Sequence, residues 1–358
     1  MDRGRLEQKD SQSHVQGVLN LRGTVAEHWK PARDGKVSCR LCARKCLIGK
    51  GERGFCRVRV NEGGELRVLN RGFAESLGLD PVEKKPLYHY LPGTLTFSVG
   101  APGCNFDCLG CQNHTLSRPD PGWPGVARPV PPELLAEKAL ETGARSFSFT
   151  YSEPTVFYEY ARDLGLLALE AGLPSIWVTN GFMSPETLKS LDWVKAMNVD
   201  LKGFTEDFYE SVTGGRLEPV KENIRNSREM GIHVEVTTLL IPELNTGERE
   251  LNGLTEFLAD VSPDMPWHVS LFRPMREQRH LRTTSREELL FARSVGKKNG
   301  LKHVYIGNIE GRGYGDTFCP KCGTLLVGRS GFFVRENVMG KDGLCPECAT
   351  PIPGVWGP

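Results

Sequence analysis

The chain has 358 residues, 39% of them apolar, with 45 Lys and Arg against 44 Asp and Glu for a formal charge of +1. Such a length can bury one large core with smaller appendages, or two ordinary domains, and the balanced charge shows no overall basic excess of the kind that announces a nucleic-acid partner. Met1 to Lys30 lacks the apolar core of a signal peptide and no stretch reaches the length of a membrane span, so a cytoplasmic protein without a membrane partner is expected.

Residues 1–36 read as a polar tail with a short helix near Val25 to Trp29. Residues 37–93 begin with Cys39, Cys42, Cys46 and Cys56, interleaved with Gly49, Gly51 and Gly54. Glycines let a short chain turn tightly around a metal, and four thiolates close a tetrahedral zinc site or hold an iron–sulfur centre. Zinc bracing a small domain is the favoured reading. The segment continues through Asp80-Pro-Val-Glu83-Lys84-Lys85-Pro-Leu-Tyr88-His89-Tyr90. A charge run is ordinarily a solvated face, and a histidine among tyrosines ordinarily a packed one. These polar residues also stand just ahead of the next motif, close enough to line its mouth.

Residues 94–307 open with a strand, Leu95 to Val99, then Gly100 to Gly103 and the loop Cys104-Asn-Phe-Asp-Cys108-Leu-Gly-Cys111. A [4Fe–4S] cluster ordinarily takes one thiolate per iron, so three cysteines leave one iron with an open position. An open position is where a small molecule binds and reacts. After a Pro- and Gly-rich connection, Pro119 to Pro132, strands are expected at Ser146 to Tyr151, Ser175 to Thr179, Asn198 to Leu201, His233 to Leu240, Trp267 to Phe272 and His303 to Ile306. Helical patterns lie between them, notably Pro132 to Thr142, Thr155 to Ala171, Val220 to Met230, Glu248 to Ala259 and Arg286 to Asn299. That alternation predicts an α/β fold of parallel βα units closing into a barrel or partial barrel. In such barrels the chemistry sits at the C-terminal ends of the strands. There stand Glu153, Asn180, Asp200 and Lys202, with Thr237, Thr238 and Arg273. Singly, each serves equally well as a helix cap or turn residue.

Residues 308–358 carry Cys319-Pro-Lys-Cys322 and Cys345-Pro-Glu-Cys348 on either side of a hairpin-like interval. Two such knuckles read as a zinc-ribbon or rubredoxin-like lobe, with zinc favoured over a single iron. The eleven cysteines thus divide into four, three and four, which leaves no spare thiol for the central loop.

The Cys104-x3-Cys108-x2-Cys111 spacing is that of the radical S-adenosylmethionine (SAM) superfamily. From about Val25 to Trp356 the chain resembles the radical SAM enzymes of the AmmeMemoRadiSam system, within the wider group similar to pyruvate formate-lyase activating enzymes. The resemblance rests on Cys39-Arg-Leu-Cys42 with Gly54-Phe55-Cys56, Asp80 to His89, Gly103 to Asn113, Thr150-Tyr-Ser-Glu153-Pro, Thr179-Asn-Gly181, Asp200-Leu-Lys202 and the terminal cysteine pairs. It implies a partial (βα)6 radical SAM barrel flanked by small four-cysteine metal-binding segments at its N- and C-terminal sides. It also implies an oxidoreductase or activase that cleaves SAM at a [4Fe–4S] cluster on Cys104, Cys108 and Cys111, to a 5′-deoxyadenosyl radical that abstracts hydrogen from a substrate. SAM is a zwitterion with an adenosine, and Glu153, Asn180, Asp200 and Lys202 supply the acceptor, cation and polar groups it needs. Glu153 matches the acid of the Gly-Gly-Glu motif of similar enzymes, although Tyr151-Ser152 stands where the glycines would be; Asp200 and Lys202 match their Asp-Leu-Lys strand. Val178 replaces an aspartate found in some activating enzymes, and Ala349 follows Cys348 where ribbons usually have glycine. Implied partners are a low-potential electron donor of ferredoxin or flavodoxin type and, by analogy, Memo-like and AMMECR-type proteins. A glycyl-radical enzyme activase and a non-catalytic zinc-ribbon binding protein stay open as alternatives.

Overall fold

The computed structural model describes residues 23–124, 128–309 and 313–357; most of the expected polar tail lies outside them. One sheet of eight strands organises the chain: Ser76–Pro81 (β1), Leu95–Gly100 (β2), Ser146–Phe149 (β3), Ser175–Thr179 (β4), Val194–Asp200 (β5), His233–Leu240 (β6), Trp267–Leu271 (β7) and Val304–Gly307 (β8). Their order in space is their order in the chain, with β1 antiparallel to β2 and each later neighbour parallel. The sheet curls without closing, so a partial barrel is what the alternating pattern builds.

β2 to β8 overlap the strands expected from the sequence, with β5 beginning four residues earlier, at Val194 rather than Asn198. β1 is the addition. Gly78 and Pro81 argue against a strand interior, and Leu77 and Leu79 stay 51% and 42% exposed; an edge position tolerates both features.

Helices cover the outside of the sheet, among them Pro132–Glu141, Tyr158–Glu170, Glu218–Glu229, Glu248–Val261 and Arg286–Lys298. Tyr158–Glu170 buries Ala161, Leu164, Gly165 and Ala168, the three-and-four spacing of one helix face. Gly165 is there for contact: a Cβ would fall 2.1 Å from a ring carbon of Trp193.

The run from Asp80 to Tyr90 is not a solvated face. Val82, Leu87, Tyr90 and Leu91 pack on Ile176 and Ala196 and floor the barrel. Lys84 stays exposed, but Lys85 and Glu83 go inside because each has a partner: Lys85, 2% exposed, meets Asp80 at 2.6 Å, and buried Glu83 meets Arg329 at 3.4 Å. Beneath the mouth, the buried carboxylate of Glu235 accepts the backbone N–H groups of Tyr88 and His89 at 3.0 and 2.7 Å, and pairs with His233 and His268 at 2.9 and 2.6 Å. His89 is accordingly a packed residue, with Nε2 2.7 Å from the Tyr305 hydroxyl.

In place of a helix near Val25 to Trp29 there are two short strands, Thr24–Val25 and Trp29–Pro31. The chain turns between them at His28, whose φ of 53° is left-handed. Val37, Leu41 and Ile48 of the first cysteine segment join the core of the barrel itself. The last lobe, by contrast, has a small core of its own: Leu326, Val327, Met339, Ile352 and Trp356. Among the described residues, no helix is long and apolar enough to cross a membrane.

Candidate functional site

At the C-terminal ends of the strands lies a cavity of about 520 Å³. Cys104, Cys108, Cys111, Glu153, Asn180, Asp200 and Lys202 all line it. Residues that are singly ambiguous in sequence therefore share one space.

The cysteine loop leaves β2 through Gly103, whose φ is 107° and where a Cβ would fall 2.7 Å from Val58; only glycine fits this turn. The loop is then pinned from two sides. Asp107 and Leu109 donate their N–H groups to the carbonyls of Thr213 and Val212, both at 3.0 Å. The Asn180 amide donates to Oδ1 of Asn105 at 2.7 Å, and Asn105 donates to the Phe182 carbonyl at 3.0 Å. Asn180 thus lines the cavity while its amide holds the loop. Burial pushes the Cys104 thiol well above its ordinary pKa; it carries Cys108 up to about 11, with Lys202 opposing. Metals bind the thiolate, so ligation here must be coupled to proton release.

Glu153 is buried and held from four directions. Oε1 accepts from the Thr155 N–H at 3.0 Å, the Thr155 hydroxyl at 2.5 Å and the Thr179 hydroxyl at 2.8 Å, while Oε2 accepts the Asn180 N–H at 2.8 Å. Burial nevertheless raises its pKa above the ordinary glutamate value. The residues before it explain the missing glycines. Tyr151 itself adopts a left-handed φ of 69°, a conformation glycine takes more cheaply. Its ring lies 4.7 Å from Nζ of Lys85 and its hydroxyl reaches Asp80 at 2.7 Å.

Across the cavity, Lys202 pairs with Asp200 at 3.0 Å. Burial disfavours its charge, but Asp200 and Cys108 outweigh that and hold its pKa above the ordinary lysine value. Lys84 and Lys85 also line the cavity, so the Asp80 segment reaches the mouth as well as the floor. Gln278 is a residue the sequence does not announce, since it stands in an aperiodic stretch. It is 2% exposed, and both polar atoms of its amide are buried without a partner, as is the hydroxyl of Thr237; both residues face the cavity. Gly110 lets Gln278 approach, since a Cβ there would fall 2.2 Å from its amide oxygen.

The C-terminal quartet forms a separate centre. Cys319 lies 3.6 Å from Cys348 and Cys322 lies 3.6 Å from Cys345, with all four sulfurs within 4.8 Å of one another. The two knuckles match: Gly323 has φ 76° and Ala349 takes φ 54°, filling with alanine the left-handed position where glycine is usual. Cys39, Cys42, Cys46 and Cys56 line a small cavity of their own.

The family pattern of the radical SAM superfamily matches residues 98–252, from β2 through the cysteine loop to the helix after β6. An uncharacterized protein, MJ0808, of the archaeon Methanocaldococcus jannaschii is 42% identical over 297 residues, 83% of this chain and 88% of its own. Among solved structures, a domain of pyruvate-formate lyase-activating enzyme from Bacteroides vulgatus is 22% identical, covers 45% of this chain and 98% of its own, and superposes with a TM-score of 0.40. Streptococcus suis SuiB bound to S-adenosylmethionine is 13% identical, with 59% and 49% covered and a TM-score of 0.46. The chain carries a radical SAM superfamily domain and belongs to the same family as the archaeal protein MJ0808.

Proposed function

We propose that this chain is a radical SAM oxidoreductase in which Cys104, Cys108 and Cys111 ligate a [4Fe–4S] cluster and the adjoining cavity binds SAM. When bound, that cluster supplies one electron to the sulfonium of SAM, giving methionine and a radical able to take hydrogen from an organic substrate. The observation that carries the reading is the convergence of three thiols, an acid, an amide and a Lys–Asp pair on one cavity of about 520 Å³, a size suited to a nucleoside-sized ligand with room beside it. The unpartnered amide of Gln278 and hydroxyl of Thr237 support a polar occupant, since buried polar groups ordinarily find one.

On this reading Lys202 receives the carboxylate of SAM and Glu153 accepts from its ammonium group. Asn180 holds the cluster loop in register through Asn105. Lys84 and Lys85 bring positive charge to the mouth. A low-potential donor of ferredoxin or flavodoxin type supplies electrons, Memo-like and AMMECR-type proteins are the expected companions, and zinc suits the C-terminal quartet.

Anaerobic reconstitution with iron, sulfide, SAM and a strong reductant tests the proposal. 5′-Deoxyadenosine is expected from the wild type and not from Cys104→Ala, Cys108→Ala or Cys111→Ala. Unchanged 5′-deoxyadenosine from any of these variants overturns it.

A further inference from the structure

The two cysteine quartets look interchangeable in sequence, and their geometry separates them. A tetrahedral tetrathiolate zinc with 2.3 Å bonds spaces its sulfurs by about 3.8 Å. The C-terminal quartet already stands at 3.6 Å across two pairs. Among the described residues, it is the only group of three or more such ligands whose donor atoms all lie within 4.8 Å of one another. Cys39, Cys42, Cys46 and Cys56 do not meet that spacing, and line a small space together with Leu41, Ile48, Phe55 and Val156. The central loop, with Cys104, Cys108 and Cys111, is likewise outside that spacing. Among the described residues, zinc-like spacing is thus met by the C-terminal quartet and not by the N-terminal one.

Packing points the same way. A zinc staple serves a unit whose own core is too small to hold it, which describes the C-terminal lobe with its few core residues. The N-terminal quartet has no such need, because Val37, Cys39, Leu41 and Ile48 belong to the core of the barrel. Its place also suits electron transfer. Asn105 lines the N-terminal cavity and is bonded directly to Cys104 of the central site. Residues 39–57 carry Arg40, Arg44, Lys45, Lys50, Arg53 and Arg57 against the single acid Glu52, in a chain whose formal charge is only +1.

From these observations we infer that Cys39, Cys42, Cys46 and Cys56 ligate a second [4Fe–4S] cluster, which passes single electrons from an acidic one-electron carrier docked on this basic segment to the central site. Four thiolates complete the coordination of such a cluster and leave no open iron, so this centre relays electrons without binding SAM. The relay role rests on the radical SAM reading of the central loop; the metal assignment does not.

The test is metal counting on anaerobically reconstituted full-length protein, with electron paramagnetic resonance after reduction. The wild type should hold about 8 iron, about 8 sulfide and one zinc, and a triple variant with Cys104→Ser, Cys108→Ser and Cys111→Ser should keep about 4 iron and 4 sulfide with a reduced-cluster signal. A Cys39→Ser, Cys42→Ser variant should lose that second set; its central cluster should still be reduced by dithionite at the wild-type rate but more slowly by reduced flavodoxin. About 4 iron and two zincs in the wild type, with none of the iron left in the triple variant, overturns the assignment. Equal rates with flavodoxin overturn the relay. Iron retained by the triple variant without SAM cleavage by the wild type would defeat the central reading and leave the second cluster standing.

Discussion

The phenol of Tyr151 donates to Oδ2 of Asp80 across 2.7 Å, and the same oxygen accepts from Lys85 at 2.6 Å. A residue in left-handed backbone beside the acid of the site is thereby fastened to the strand at the sheet edge. Burial alone would raise the pKa of Asp80, but donation from Lys84, Lys85 and Tyr151 outweighs it and holds the carboxyl well below the usual carboxylate range. A depressed acid contributes stability above its unfolded pKa of about 3.9, and that contribution is lost as pH falls below this value toward the folded one. Urea midpoints at about pH 7, 5 and 3.5 should fall for the wild type across the lower interval. Asp80→Asn should start lower at neutral pH and lose less. Parallel curves for the two proteins would show that Asp80 does not contribute this pH dependence.

Lys202 stands 3.0 Å from Asp200, with its side chain 28% exposed to the cavity. Lys202→Gln removes a charge-assisted contact worth roughly 1.5–3 kcal/mol, so SAM affinity should drop on the order of tenfold to a hundredfold. Iron and sulfide content should not change. Anaerobic titration calorimetry beside metal analysis separates the two effects, and loss of iron would make this lysine a structural residue.

Arg59 and Glu159 form an ion pair with side chains only 1% and 3% exposed, joined through Nη2 at 2.7 and 2.5 Å. It ties the N-terminal cysteine segment to the helix Tyr158–Glu170. Glu159→Ala leaves a buried guanidinium uncompensated and should cost about 3–5 kcal/mol in chemical denaturation. Glu141→Ala, which breaks the exposed pair with Lys138, should cost no more than about 1 kcal/mol.

The C-terminal lobe has few core residues, so a metal held by its four cysteines is expected to supply much of its stability. Treatment with a strong chelator should abolish hydrogen-exchange protection in the strands Leu325–Ser330 and Phe333–Asn337 while β4 and β5 keep theirs. Retained protection in both strands after complete metal removal would show that the lobe is held by packing alone.

The parallel strands and the cavity rim were legible because alternating strands and helices put strand-end residues on one face. β1 was not, since Gly78 and Pro81 remove the ordinary strand signals. The burial of Glu83 was illegible for a different reason: its partner Arg329 lies 246 residues away, and no local pattern reports a pairing at that range. Gln278 was illegible as well, because an amide without partners is a property of its surroundings. The departures at Tyr151 and Ala349 were visible as unexpected letters, and both have a plain meaning as non-glycine residues at positive φ.

The Glu235 carboxylate beneath the mouth also sets an order of events. Its bonds to the backbone of Tyr88 and His89 bridge 147 and 146 residues of chain, so the floor closes only after β6 has been made and has found its place. Contacts at such separation carry a large loop-closure cost and form slowly. The loop of Cys104, Cys108 and Cys111 precedes Glu235 in the chain and so is made before that closure. The floor beneath the central loop is therefore a late-made part of the fold, set by a residue that the chain reaches more than a hundred residues after Cys111.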